Sequence, residues 1–342
     1  MPPVSVEQIK SRLAAFDARK AYYEHKSNTS SNKLARHEVW RHDYLSYPYL
    51  IGAPDDRIGK RFCDIFMNTT ELGPDAKVGV HDFRRDDTLS QKFTHMLEEY
   101  GSRSGGPPID VIAAARAPVV RYFENGDPIA AKLFSGYQSP TTPFLVKYGR
   151  REFLEPMLCE GRIRICPATY YNDAGHISSV QDDETRRTFF IPTFRERLNG
   201  LDFIDFQGHR IVFGDDDIAM PVICRNYFLF SLCDQIYYRL PTDFNADAAL
   251  IIRDPALFTQ RVISHFLARR PDWEPLPGPV TYYDPYRDYN RMTVPEMSKH
   301  FGYAYQREVR IAFRSKQTVK AGLTPEFLTI GSLNDCAELI SV

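Results

Sequence analysis

The sequence predicts an α+β protein in which a mainly helical first part precedes a second part built around a sheet. Apolar residues of the first part recur at helical spacing, whereas short apolar runs of strand length dominate after residue 143. The strands of the second part outnumber its helices and follow no strand–helix–strand repeat. This irregular order favours an α+β sheet over a doubly wound one.

The first part shows helix starts but no recognisable chemical motif. Ser5 and Gln8 have the spacing of a capping box before an apolar helical face, and Thr88 and Gln91 repeat that spacing before a second helix. The polar stretch HKSNTSSNK, residues 25–33, predicts a loop between helices. We therefore expect this part to be an accessory or target-recognition region.

The stretch SGYQSPTTP, residues 135–143, predicts the boundary between the two parts because it is rich in turn-forming residues. It divides the chain into a helical region, 1–138, and a domain, 143–342. Strands are predicted in the segments PFLVKYG, RIRICP, NYFLFSLCD, AALIIRD, PGPVTYYDPY and YAYQREVRIAF. Two helices are predicted between these strands, at Arg151–Glu160 and after the capping residue Asp254.

Composition excludes several classes of protein. Forty-three Lys and Arg residues against 44 Asp and Glu residues give no overall attraction to nucleic acids or membranes. The six cysteines form no C-x-x-C pair, so neither a zinc site nor a disulfide framework is expected. The N-terminus lacks the apolar segment of a signal peptide, and we expect a cytoplasmic protein. The common dinucleotide, P-loop, zinc-protease and nucleophile-elbow motifs are absent.

The predicted strand YAYQREVRIAF carries an unusual polar face. Side chains alternate along a strand, so Gln306, Glu308 and Arg310 share one face while Val309 and Ile311 share the apolar one. Such a row could be a solvated face with a Glu–Arg ion pair. It could also be a functional site lining a hydrated cleft, and the sequence of this strand alone leaves both interpretations open.

Four segments of the second part form an ordered pattern: LVKYG with a short helix and CEGRIRI, then PATYYND, then NYFLFSLCD, then YAYQREVRI. This pattern, over residues 143–313, resembles a bacterial family related to ADP-ribosyltransferases. That family has a K/H-Y strand, an F-N-D turn, a strand with serine and a late Y-x-x-E-x-R strand. The chain departs from it where Ala174 and Gly175 follow the N-D pair and where QIYYR replaces a tryptophan-containing helix.

The resemblance implies a split β-sheet with NAD bound in a cleft between its halves, and no metal. Glu308 matches the late glutamate and is predicted to be catalytic, because cleavage of the nicotinamide–ribose bond creates an oxocarbenium-like sugar that a carboxylate stabilises. Gln306 stands two residues earlier, where related enzymes carry a residue that orients the acceptor. It is the second predicted catalytic residue.

The resemblance also implies the residues that bind the cofactor. They are Lys147, Tyr148, Asn172, Asp173, Ser231 and Tyr238, with Tyr237 beside Tyr238 at the nicotinamide. Each has a structural alternative: a strand-end charge for the lysine, core packing for the tyrosines, a plain turn for the N-D pair and a hydrogen-bonded core residue for the serine.

The function implied is ADP-ribosyl transfer from NAD to a macromolecular acceptor, protein or nucleic acid. Bacterial enzymes of this kind often act as toxins or antiphage effectors, which an antitoxin or regulatory partner would control. Two alternatives stay open: an NAD glycohydrolase, in which water is the acceptor, and a catalytically inactive binding module on the same fold.

Overall fold

A computed structural model of the chain describes residues 3–29, 33–80, 86–123, 128–173, 175–177, 179, 181–206, 208–289, 294–317 and 322–342. These residues form a mixed α/β protein with a helical N-terminal region and antiparallel sheets, which confirms the predicted fold class at this level. Among the described residues, no helix combines the length and apolar character that crossing a bilayer requires.

Helices dominate the N-terminal region, with one antiparallel strand pair among them. The elements are α1 (Val6–Thr29), α2 (Arg36–Ser46), α3 (Asp55–Thr69), β1 (Thr70–Leu72), β2 (Val78–Val80), α4 (Asp87–Ser104), α5 (Ile109–Val120) and α6 (Ile129–Leu133). The predicted capping box at the start of α1 is confirmed. The backbone N–H of Ser5 donates to Gln8 Oε1 at 2.8 Å, and the N–H of Gln8 donates to Ser5 Oγ at 3.2 Å.

Two predictions for this region are wrong in detail. Helix α1 continues to Thr29, so most of the described part of the predicted loop 25–33 is helical; residues 30–32 lie outside the described residues. The first five residues of the predicted loop, 25–29, contain no Gly or Pro that would end the helix. Helix α4 is capped by Asp86, whose Oδ1 accepts from the N–H of Leu89 at 2.9 Å, and not by a capping box at Thr88.

Strands dominate the rest of the chain. The strands are β3 (Leu145–Gly149), β4 (Arg162–Pro167), β5 (Arg186–Ile191), β6 (Phe203–Phe206), β7 (His209–Val212), β8 (Ile218–Ile223), β9 (Phe228–Cys233), β10 (Ala248–Ile252), β11 (Trp273–Pro279), β12 (Thr281–Tyr283), β13 (Ser298–His300), β14 (Glu308–Ser315), β15 (Glu326–Thr329) and β16 (Ala337–Ser341). The helices are α7 (Arg151–Glu160), α8 (Phe194–Leu198), α9 (Leu240–Asp243) and α10 (Pro255–Arg269).

The central sheet divides along one strand. Its order is β11-β14-β9-β3-β10-β16, and β14 pairs with β9 over the whole length of β9. On the other edge of β9, β3 pairs only at Cys233, whereas β4 pairs only at Phe228 and Leu229. Strands β3 and β4 therefore diverge beside the middle of β9, and Ser231 lies in the resulting gap.

The two faces of β9 and β14 differ in chemistry. Phe230, Ile311 and Phe313 belong to the largest apolar core, which helix α10 covers with Phe258 and Phe266. This confirms that the Ile311 face is buried. Ser231, Glu308 and Arg310 point to the opposite side of the sheet.

The predicted strand 303–313 begins five residues later than expected. Residues Phe301–Gln306 form a 3₁₀ helix, and Arg307 has a left-handed backbone with φ of 42° that joins this helix to β14. The alternation argument therefore does not apply to Gln306, because that residue lies before the strand. The interpretation of this face as solvated is also wrong, because Gln306, Glu308 and Arg310 are only 3%, 5% and 0% exposed.

The N-terminal helices pack directly on the second part of the chain. Phe194, Tyr286 and Phe301 belong to the apolar cluster that the helices form. Arg61 of α3 holds both carboxylate oxygens of Asp284, at 2.9 and 2.7 Å. The division into 1–138 and 143–342 stays a prediction, but these contacts make independent folding of the second part unfavourable.

Candidate active site

Glu308 lies at the centre of the gap between β3 and β4. Its Oε1 accepts a hydrogen bond from Ser231 Oγ at 2.6 Å, and its backbone N–H donates to the hydroxyl of Tyr282 at 2.8 Å. The register of β14 against β9 sets Arg310 opposite Ser231, which places Glu308 diagonally across from the serine. The two residues selected from separate strands thus form one hydrogen-bonded unit.

Two cations hold the Glu308 carboxylate. Arg310 Nε donates to Oε1 at 2.6 Å and Lys299 Nζ donates to Oε2 at 3.0 Å. Burial alone would raise the pKa of Glu308, but the charges of Arg310 and Lys299, with the hydrogen bonds from Arg310 and Ser231, outweigh it and hold the pKa well below its usual range. Glu308 is therefore ionised at neutral pH.

Glu308 belongs to a larger group of charges that we call the inner cluster, all of them buried except the half-buried Asp182. Its members are Asp182, Glu184, Arg187, Lys299, Glu308 and Arg310. Glu184 joins the two arginines, with Oε1 2.6 Å from Arg310 Nη2 and Oε2 3.0 Å from Arg187 Nη2. Three carboxylates face three cations, so the inner cluster is neutral when all are ionised. Burial, followed by the charge of Glu184, raises the pKa of Asp182 to about 6.

The polar atoms of Gln306 are engaged within the protein. Its Oε1 accepts from Lys299 Nζ at 3.0 Å, and its Nε2 donates to the carbonyl oxygen of Ser179 at 2.8 Å. One ammonium group therefore bridges the amide of Gln306 and the carboxylate of Glu308. This geometry suits a residue that positions Glu308, and it leaves the amide little capacity to orient an acceptor.

Lys147 and Tyr148 of β3 form the opposite wall of the gap. Lys147 Nζ donates to the carbonyl oxygen of Ser231 at 2.8 Å and stands 4.6 Å from the ring centre of Phe230. Burial lowers the pKa of Lys147. The hydroxyl of Tyr148 accepts from the backbone N–H of Tyr237 at 3.0 Å. Both residues anchor β3 to β9 and to the segment that follows β9.

Three predicted cofactor residues lie elsewhere. Asn172 and Asp173 are exposed, and Asp173 Oδ1 accepts from the N–H of Gly175 at 2.8 Å, which is the plain turn that the sequence left open. Ala174 of that turn lies outside the described residues. Tyr238 packs edge-on against Phe134, with ring centres 5.7 Å apart. In the described part of the chain, none of the three predicted residues lines either cavity beside Glu308.

Two cavities adjoin Glu308. The inner cavity, of about 210 Å³, occupies the gap in the sheet; it is lined by Lys147, Tyr148, Tyr171, Ser231, Gln306 and Glu308. The outer cavity, of about 620 Å³, lies between the N-terminal helices and the ends of β9 and β14. Tyr237, predicted near the nicotinamide, lines the outer cavity. Pockets for drug-sized ligands usually have volumes of about 300–1,000 Å³. Of these two cavities, the outer one reaches that volume by itself and the inner one does not.

Sequence reasoning missed the residues that complete the site. Glu184 and Arg187 come from a segment far from Glu308 in the chain, Lys299 lies nine residues before Glu308, and no motif links the three to it. The alternation in RRTFFI was a weak strand signal that places Arg187 beside Phe189 and Ile191 on the buried face of β5. Lys299 carried no such signal. No group of three His, Cys, Asp or Glu side chains in the described ranges is arranged to hold a metal ion.

Comparison of the chain with protein-family models, curated proteins and solved structures found no match in any of the three. The interpretation of the site therefore depends on its geometry and on the sequence resemblance.

Proposed function

We propose that the chain is an NAD-dependent ADP-ribosyltransferase with a split-sheet catalytic fold, acting in the cytoplasm on a protein or nucleic acid. One observation supports this most: Lys147, Tyr148, Ser231, Gln306 and Glu308, each selected from the sequence, line a single cavity where β3 and β4 diverge. Five residues with unrelated structural roles would not be expected to line the same cavity. Action as a toxin or antiphage effector is part of the same proposal.

Glu308 is the catalytic carboxylate in this proposal. The bond between nicotinamide nitrogen and ribose carbon breaks, the electron pair leaves with nicotinamide, and the acceptor attacks the cationic sugar and loses its proton. An ionised carboxylate beside the sugar stabilises that cation more than it stabilises NAD. Ser231 fixes the direction of the carboxylate through its 2.6 Å hydrogen bond. Lys299 and Gln306 position Glu308, and Tyr148 shapes the wall.

A catalytically inactive binding module on the same fold is the second candidate, and the saturation of Glu308 favours it. The two oxygens of the carboxylate accept from Ser231, Arg310 and Lys299 at 2.6–3.0 Å. Two adjacent positive charges weaken the negative potential that a cationic sugar would meet. Catalysis then requires Lys299 or Arg310 to move away from Glu308 when substrate binds.

NAD carrying a label in its adenosine part tests the proposal. A labelled macromolecule indicates transfer, free labelled ADP-ribose indicates a glycohydrolase, and a rise in melting temperature with NAD but no turnover indicates a binding module. If the chain shows no turnover and no binding at millimolar NAD, all three functions are refuted.

The matched variants are Glu308→Gln and Glu274→Gln, the latter on the neighbouring strand β11. Loss of Glu308 should slow NAD cleavage several hundredfold, because such electrostatic groups contribute about 3–4 kcal/mol to the barrier. It should also cost about 1–3 kcal/mol of stability, since buried partners lose a charged acceptor. Glu274 is 46% exposed, and its replacement should leave cleavage unchanged. Equal cleavage by both variants would remove Glu308 from the mechanism.

A further inference from the structure

The outer face of the strand pair β4–β15 exposes an arginine beside a phenylalanine. Ile163 of β4 and Leu328 of β15 belong to the largest apolar core. Side chains alternate along a strand, so Arg164 and Phe327, which are opposite each other in the register, lie on the outer face. Phe327 is 65% exposed, and Arg164 forms no ion pair in the described part of the chain. The fold therefore leaves a large apolar ring and an unpaired charge together at the surface.

These two side chains begin a series of flat groups that we call the surface row; its members are Phe327, Arg164, Tyr170 and His176. The Arg164 guanidinium lies 4.5 Å from the ring centre of Tyr170 and 5.9 Å from that of Phe327. The ring centres of Tyr170 and His176 are 4.6 Å apart, and His176 Nε2 is 2.9 Å from the carbonyl oxygen of Tyr170. Tyr170 and His176 are half-buried, whereas Arg164 is exposed. The surface row thus offers planar groups on which further planar groups can stack.

The charges beside the surface row are positive on balance. Two neighbouring arginines are paired with glutamates: Arg162 with Glu160 and Arg270 with Glu326. Arg269, at the end of α10, donates to the carbonyl oxygen of Phe327 at 2.5 Å and has no ion pair within the described ranges. Asp173 follows Tyr170 by three residues and accepts from a backbone N–H. Arg164 and Arg269 therefore provide two unpaired positive charges against this one carboxylate, which favours a negatively charged partner.

The surface row is connected to the proposed active site through Tyr171. The ring of Tyr171 packs edge-on against that of Tyr170, with centres 5.5 Å apart, and Tyr171 lines the inner cavity together with Glu308. A chain molecule that lies along the surface row therefore has one end beside the gap between β3 and β4.

We infer that the surface row binds single-stranded nucleic acid, with a base on Phe327 and a backbone phosphate at Arg164. Every nucleotide of a single strand offers one flat base and one negative charge, and aromatic rings with arginines recognise that combination without regard to sequence. Proteins seldom present consecutive flat groups, and the bases of a duplex are stacked on each other. The surface row thus identifies nucleic acid as the class of acceptor, a step that rests on the proposed function.

Fluorescence anisotropy of the full chain tests the binding with fluorescein-labelled oligothymidylate and oligouridylate, each about 16 nucleotides long. Phe327→Ala should weaken binding about fivefold to a hundredfold, the usual effect of losing one base–aromatic stack. Phe153→Ala is the matched control, because Phe153 of α7 is 67% exposed and lies outside the surface row. Neither variant should lower the melting temperature, since both rings are largely exposed.

The charge of the surface row is tested by Arg164→Met. It should weaken binding and reduce the slope of log affinity against log salt by about 0.7, the share of one phosphate contact on a single strand. Arg164→Lys should keep that slope but bind more weakly than the wild type, because an ammonium group does not stack. Arg210→Met is the control and should change neither quantity: Arg210 also stacks on a ring, 3.9 Å from the centre of Phe203, but it is paired with Asp205.

Labelled NAD then tests whether the bound strand is the acceptor. With NAD labelled in its adenosine part, the label should appear on the oligonucleotide, and Phe327→Ala should reduce this labelling while Phe153→Ala does not. Oligonucleotides that do not bind, or that bind these two variants equally, overturn the site. A label found only on protein refutes nucleic acid as the acceptor. A wild-type chain that binds the oligonucleotides through Phe327 but cleaves no NAD refutes only the proposed function.

Discussion

Two groups of buried charge have different roles in this molecule: the inner cluster around Glu308, and the group of Arg61, Lys92 and Asp284, which we call the outer cluster. The inner cluster has three carboxylates for three cations, and short hydrogen bonds connect Glu184, Glu308 and Arg310. In the outer cluster Arg61 holds both oxygens of Asp284, Lys92 Nζ lies 3.8 Å from Asp284 Oδ2, and a second carboxylate, Asp288, accepts from the Asp284 N–H at 2.7 Å. Because an unpaired buried charge is costly, the ion pairs of each cluster fix the geometry of its members. The inner cluster borders both cavities and holds the proposed catalytic group, whereas the outer cluster joins helices α3 and α4 to the second part of the chain.

Removal of residues 1–142 is the largest perturbation of this comparison. It deletes Arg61 and Lys92, leaves Asp284 as an isolated buried carboxylate and exposes Phe301. We expect the fragment 143–342 to lack a cooperative unfolding transition by circular dichroism and to cleave no NAD. A fragment that unfolds cooperatively and cleaves NAD would show that the outer cluster is dispensable for both.

Arg310→Met breaks the inner cluster and should have the next largest effect. It leaves two buried carboxylates, Glu184 and Glu308, short of a cation, and removal of one partner from a buried ion pair usually costs about 3–5 kcal/mol. Arg314→Met provides a control on the same strand, because Arg314 pairs with Glu274 where both are about half exposed. Exposed pairs contribute about 0–1 kcal/mol. Urea unfolding of both variants measures the difference, and equal losses would contradict the distinction between the two environments.

Lys299→Met tests whether one ammonium positions the site. Both Glu308 Oε2 and Gln306 Oε1 lose their shared donor, so we expect a loss of about 1.5–3 kcal/mol in the free energy of unfolding at pH 7. Lys299 is one of the charges that lower the pKa of Glu308. Without it this pKa rises, and any loss of NAD cleavage on acidification should begin at a higher pH than in the wild type.

The exposed Lys316, which directly follows strand β14, supplies the control Lys316→Met. This control should change neither stability nor the pH profile. An unchanged profile in Lys299→Met would make the lysine a structural residue only.

How far the sequence predicted the fold depended on the strength of local signals. Helix α7 and strand β4 lie within the predicted bounds, because Gly161 adopts the left-handed backbone, φ 68°, that ends α7. Strands β5–β8 were not predicted, since they form two separate two-stranded pairs outside the central sheet and their segments are short or only weakly patterned. The late start of β14 was also missed, because nothing in YAYQ distinguishes a 3₁₀ turn from a strand.

The site was predicted where strand order alone determines proximity. Ser231 and Glu308 lie on adjacent strands, so a motif that names both also places them together. Glu184 and Arg187 lie more than 120 residues before Glu308 in the chain, and Lys299 reaches Glu308 only because a 3₁₀ helix turns the nine-residue connection back on itself, which local patterns do not encode. Lys92 is still less predictable, because its environment depends on how helix α4 packs against Asp284 and Phe301.

Asp217 provides the most specific test, because in the described part of the chain no cation donates a hydrogen bond to this buried carboxylate. Its Oδ1 accepts from the N–H of Thr193 at 3.3 Å, and Arg57 Nη1 is 3.8 Å from Oδ2. Burial first, then the charge of Asp216, raises its pKa to about 7, although Arg57 and Arg197 act in the opposite direction. Between the unfolded value of 3.8 and about 7, the folded state holds a proton that the unfolded state has lost. Stability from this group is therefore complete below the lower value and is lost as the pH rises.

From pH 5 to pH 8 this loss amounts to about 3 kcal/mol, given roughly 1.4 kcal/mol per pKa unit over the two units between pH 5 and the folded value of about 7. Asp217→Asn cannot ionise, so its free energy of unfolding should vary less over this range, and its stability relative to wild type should increase with pH. The control Asp254→Asn retains the cap of α10, because asparagine caps helices as well as aspartate does, and its pH dependence should match the wild type. Urea unfolding at pH 5, 6.5 and 8 measures all three chains. Parallel curves for Asp217→Asn and wild type would mean that Arg57 and Arg197 compensate the buried charge, and that this carboxylate is paired as effectively as those of the inner cluster.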